Sequence, residues 1–102
     1  MKTKRRNNKF DSRDVYFRLK IIFKERFNID VDQKESTFFD RNLLYKEIGL
    51  EARDLLYLFF DIEKEYNITI PEEVIVDGKF NTFNKIVEII HNQLKKKGQE
   101  VV

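Results

Sequence analysis

Three stretches of this chain repeat apolar side chains every three or four residues, and that period constrains the fold more than any other feature. Val15, Leu19, Ile22, Phe23 and Phe27 form the first stripe, Leu55, Leu58, Phe59, Ile62 and Tyr66 the second, and Phe83, Ile86, Val87, Ile90 and Leu94 the third. An α-helix turns once in about 3.6 residues, so each set falls on one helix face and needs an apolar cover. No strand alternation of useful length and no internal repeat competes with these stripes. They predict an all-α fold, an antiparallel bundle in which Leu19, Ile22, Leu58, Ile62, Ile86 and Ile90 meet in one core.

Punctuation residues set the expected boundaries. Asp11 or Ser12 caps the first helix and Asn28 ends it. Residues 28–40 form a long polar connection pinned near its end by Phe38 and Phe39, and a short helical turn over 43–47 precedes Gly49. The second helix is expected over 51–66. Pro71, whose missing N–H is no loss at a helix start, opens a short third helix over 72–76. Asp77-Gly78 is a turn. The fourth helix starts near Asn81 or Thr82 and ends with Lys95, Lys96 and Lys97, cations that complement the helix dipole before Gly98.

A chain of 102 residues makes one domain that buries about two-thirds of its unfolded surface. Ten Phe and four Tyr against only three Gly and one Pro favour a compact helical domain over disorder. With no cysteine there is no disulfide and no thiolate metal site. No apolar run approaches a membrane span and no charged-then-apolar leader is visible, so a cytoplasmic location is expected. Asn67-Ile68-Thr69 matches a glycosylation sequon and reads as a helix-ending turn.

Net charge is +2, but its distribution matters more. Residues 1–9 carry five basic residues and no acid, and three lysines close the last helix. Between Phe10 and Leu94 there are 12 basic residues against 17 acidic ones, so the body carries about −5. The expected organisation is a disordered basic arm over 1–10, a helical domain over 11–97 and a flexible tail over 98–102.

The segment 44–71 reads LYKEIGLEARDLLYLFFDIEKEYNITIP. With Gly49, Asp54, Glu63, Glu65, Tyr66, Ile70, Pro71, Glu72 and Glu73 in register, it resembles the recognition region of acyl carrier proteins. That family has a Leu-Gly-x-Asp-Ser-Leu-Asp turn, an apolar and acidic helix, and an Ile-Pro-Glu-Glu turn. The resemblance covers about residues 12–94 and implies three longer helices, one short helix and a long loop after the first. Within the carrier-like families, the chain resembles most the acyl-carrier-related proteins of bacterial peptide-maturation systems. The serine that holds phosphopantetheine in carriers falls on Ala52, whose methyl group has no oxygen to accept it. Thioester carriage is therefore not implied, and no cofactor is expected.

The other hydroxyls near that region are Ser36 and Thr37 in the long loop, where loop or capping duty is the ordinary role, as it is for Ser12. His91 is the only histidine, and neither a convergent carboxylate pattern nor a glycine-rich phosphate loop accompanies it. The chain is read as a non-enzyme with no catalytic or metal site.

In carriers the second helix is the docking surface for enzymes with basic patches. Carried over residue by residue, this implies docking through Glu51, Arg53, Asp54, Tyr57, Phe60, Asp61 and Glu63, with Glu65 adding acidic character. Arg53 and Tyr57 depart from the family, which has an apolar residue after the serine and usually an exposed acid four residues later. Asp54, Tyr57, Phe60 and Glu63 are expected within one side of the helix, Phe60 as anchor and the acids steering a basic partner. Against this stands the plain reading of a solvated charged face with aromatics in the core. Two functions result. The first is a monomeric accessory protein docking to a biosynthetic or peptide-maturation enzyme. The second is a small helical nucleic-acid binder using its basic arm, which the acidic body and the lack of an aromatic residue in the arm disfavour.

Overall fold

The computed structural model describes residues 12–98; the basic arm over 1–10, the Asp11 cap and residues 99–102 lie outside them. The fold is all-α, with three longer helices, α1 (Ser12–Phe27), α2 (Ala52–Tyr66) and α4 (Phe83–Lys96), and one short helix, α3 (Glu73–Val76). No strand occurs among the described residues.

The three stripes meet as expected. Leu19, Ile22, Leu58, Ile62, Ile86 and Ile90 are all buried in one core with Val15, Phe23, Leu55, Phe59 and Leu94. Phe27 is only half-buried, its ring edge-on to Phe23 at 5.6 Å. Ile89, outside the expected stripe of α4, is buried as well. Between α1 and α2 a buried hydrogen bond joins the Tyr66 hydroxyl, as donor, to the Val15 carbonyl at 2.8 Å.

The connection after α1 is long but not irregular throughout. Asn28 ends α1 with φ +58, a left-handed conformation that asparagine tolerates. Two short 3₁₀ helices then occupy Val31–Gln33 and Ser36–Asp40. Phe38 and Phe39 pin the segment as expected, with Phe39 5.1 Å from Phe83 and Phe38 6.5 Å from both Phe83 and Phe23. Such anchoring is what a loop of this length needs inside a compact domain. The helical turn expected over 43–47 is not formed. The Tyr45 carbonyl instead accepts from the N–H groups of Ile48 and Gly49, and Gly49 turns the chain with φ +85. Buried Leu43 and Leu50 flank this turn, the Leu43 N–H donating to the Asn81 carbonyl at 2.7 Å.

Two starts differ by one residue from expectation. Glu51 is the cap of α2 rather than its first helical residue, because its backbone is extended. Glu72 caps α3, which begins at Glu73, so Pro71 stands before the cap and not at the first helical position. Thr82 caps α4, its hydroxyl accepting the Lys85 N–H at 3.0 Å. Asn67 ends α2 in the left-handed conformation, φ +54, as its reading as a turn required.

Candidate functional site: the outer face of α2

The start of α2 is fixed by its own side chains. The Asp54 carboxylate accepts the Glu51 N–H at 2.9 Å, the reach-back half of a capping box, while the Glu51 carbonyl accepts the Asp54 and Leu55 N–H groups. Exposed Ala52 opens the helix.

Each residue advances about 100° around a helix, so the orientation of the face follows from the buried set. Leu55, Leu58, Phe59, Ile62 and Tyr66 turn inward. Opposite them run Arg53, Tyr57, Phe60 and Lys64, with Leu56 beside the row. The large apolar members are half open to solvent, Phe60 at 54%, Tyr57 at 50% and Leu56 at 47%. The aromatics of the expected docking set are thus surface groups and not core.

The carboxylates stand elsewhere. Asp54, Tyr57, Phe60 and Glu63 do not share one side, because steps of three residues each fall about 60° short of a full turn and the two ends diverge by about half a circle. Asp54, Asp61 and Glu65 lie on the flank toward α1, and Glu63 lies on the other. Every one of them is engaged within the chain. Asp61 takes a two-pronged pair from Arg26, Nε to Oδ2 and Nη2 to Oδ1, each at 2.7 Å. Glu65 pairs with Arg18 at 2.7 Å. The Glu63 carboxylate accepts the Ile70 N–H at 2.8 Å and holds the turn after the helix.

Sequence reasoning missed Arg18 and Arg26 because their partners lie 47 and 35 residues away. Arg26 also covers the Tyr57 ring, its Cζ 5.5 Å from the ring centre, and so fixes one edge of the row. Arg53 has only the loose contact of its Nε with Glu51 at 3.5 Å, both side chains being largely exposed. Lys64 makes no ion pair or hydrogen bond with the described residues.

Other candidates offer no chemistry of this kind. Ser36 and Thr37 are exposed in the second 3₁₀ helix. Thr37 borders a half-open cavity of about 290 Å³ with Ile29, Phe38 and Ile48 as apolar lining and Lys34, Arg41 and Glu47 among its polar groups. His91 is half-buried, and burial, with Lys95 nearby, lowers its pKa. Among the described residues no group of three His, Asp or Glu side chains is placed to hold a metal ion, and no helix is long and apolar enough to cross a membrane. The chain matches no protein-family model, no curated protein and no solved structure.

Proposed function

We propose that this chain is a non-enzymatic, acyl-carrier-like protein without a phosphopantetheine serine, which works by docking to a biosynthetic or peptide-maturation enzyme through the outer face of α2. The carrier-like reading rests on the motif over 44–71 with alanine at position 52. The observation that carries docking is the row of Leu56, Tyr57 and Phe60, three large side chains about half exposed on one helix whose inner face already fills the core. Adjacent exposed aromatics are costly to leave in water and favourable to cover, and aromatic anchors dominate protein interfaces.

The test is affinity capture from the native host with wild type, Tyr57→Ala and Phe60→Ala, each variant first shown by circular dichroism to be folded. Loss of the same protein from both variants supports the face as the dock. Retention by both moves the interface to another part of the molecule.

A further inference from the structure

The half-open cavity of about 290 Å³ lies in the connection between α1 and α2 and shares no residue with the outer face of α2. Its floor is apolar: Phe38 is buried, and Ile29 and Ile48 are half-buried beside it. Its rim carries charges of both signs. Arg41 and Glu47 face each other at 3.7 Å, Nη1 to Oε1, close enough for attraction and too long for a hydrogen bond. Each therefore keeps its capacity to hydrogen-bond. The side chains of Lys34 and Glu35, consecutive on the same rim, make no ion pair or hydrogen bond with the described residues.

We propose that this cavity binds a small apolar α-amino acid in its zwitterionic form. The size fits, because sites for small molecules begin at about 300 Å³, which leaves room for one such molecule and not for a folded segment. The charges choose among small molecules. An uncharged apolar compound would strip water from four charged groups and offer nothing in exchange. An anion drawn by Lys34 and Arg41 is repelled by Glu35 and Glu47, and a cation meets the reverse. A zwitterion satisfies both signs at once, and an α-amino acid carries its carboxylate and ammonium on one carbon, a separation as short as that between Arg41 and Glu47. The carboxylate pairs with Arg41 and Lys34, the ammonium with Glu47 and Glu35, and the side chain covers Phe38, Ile29 and Ile48. Contacts between ionised partners are the strong class of polar contact. The site is independent of docking through α2.

The experiment titrates the full-length protein, labelled with ¹⁵N, into the millimolar range with leucine, N-acetylleucine, leucinamide and serine, slightly below neutral pH where every free ammonium is charged. Binding is read as saturable amide shifts over 29–48. Leucine is expected to bind about fivefold more tightly than each of the others, which lack in turn the ammonium, the carboxylate and the apolar body. Lys34→Gln combined with Arg41→Gln should remove its advantage over leucinamide, and Glu35→Gln combined with Glu47→Gln its advantage over N-acetylleucine, with the circular dichroism spectrum unchanged in both. N-acetylleucine binding as tightly as leucine makes the ligand a simple carboxylate, and leucinamide doing so makes it a simple amine; either result overturns the zwitterion. Serine binding as tightly as leucine removes the role of the floor and overturns the proposal. So does an advantage of leucine that survives both pairs of substitutions, because other groups then recognise it. Absence of saturable shifts over 29–48 with every probe overturns the site itself and leaves Arg41 and Glu47 as a solvated ion pair.

Discussion

Arg26 and Asp61 join α1 to α2 through two parallel hydrogen bonds of 2.7 Å, and the same guanidinium covers the Tyr57 ring. One interaction therefore sets both the spacing of two helices and the posture of an exposed aromatic.

Asp61→Asn should leave the fold intact and lower the thermal midpoint only slightly, an effect that shrinks in high salt because the pair is partly exposed. The larger response should appear at Tyr57, whose ring resonances are expected to shift and broaden once Arg26 is no longer held by two bonds. Unchanged Tyr57 resonances would show that the ring is positioned by other contacts.

Ile62 and Phe60 lie two residues apart on α2 and should behave oppositely. Ile62 is fully buried, so Ile62→Ala is expected to cost about 2 to 5 kcal/mol in urea unfolding. Phe60→Ala should fall within about 1 kcal/mol of wild type, since surface substitutions rarely do more. A loss for Phe60→Ala as large as that for Ile62→Ala would place the ring in the core.

The helices were the legible part of the molecule. The buried residues of α2 are the five that its period selects, and α4 adds only Ile89, because a short-range period fixes which side chains share a face. The state of each charge was not legible. Asp61 and Glu65 look like steering charges in sequence and are tethers in space, since no local pattern encodes a partner on another helix. The 3₁₀ helix over 36–40 and the turn at Tyr45 depend on contacts with Phe83 and Asn81, which lie more than thirty residues further along.

Tyr66 makes stability sensitive to alkaline pH. Burial is the main cause that pushes its phenol well above the ordinary value of 10.0, so the folded state prefers the neutral form. Its contribution is complete below about pH 10 and declines above it, where the unfolded chain loses that proton first. Tyr66→Phe should flatten this part of the pH profile. It should also cost about 0.5 to 1.5 kcal/mol at neutral pH, the net worth of the lost bond to the Val15 carbonyl, which keeps its helical N–H donor.

Incubation with coenzyme A and a broad-specificity phosphopantetheinyl transferase should leave the intact mass unchanged, because position 52 offers no hydroxyl. A mass gain mapped to Ser36 or Thr37 would show that the chain carries the prosthetic group at another site. Ala52→Ser alone is expected to be modified poorly, with a cation at Arg53 where carriers have an apolar side chain.

The opening of α4 is where the long loop is tied down. Asn81 accepts the Leu43 N–H through its carbonyl, Asn84 donates to Asp40 and accepts from Tyr16, and Phe83 sits among Phe23, Phe38 and Phe39. These contacts span about forty to seventy residues, so the chain must close large loops before any of them rewards ordering. Because Val31, Phe38, Leu43 and Leu50 are buried in the common core, the segment between α1 and α2 cannot open without exposing that core, and its length therefore does not make it an easy point of entry for a protease.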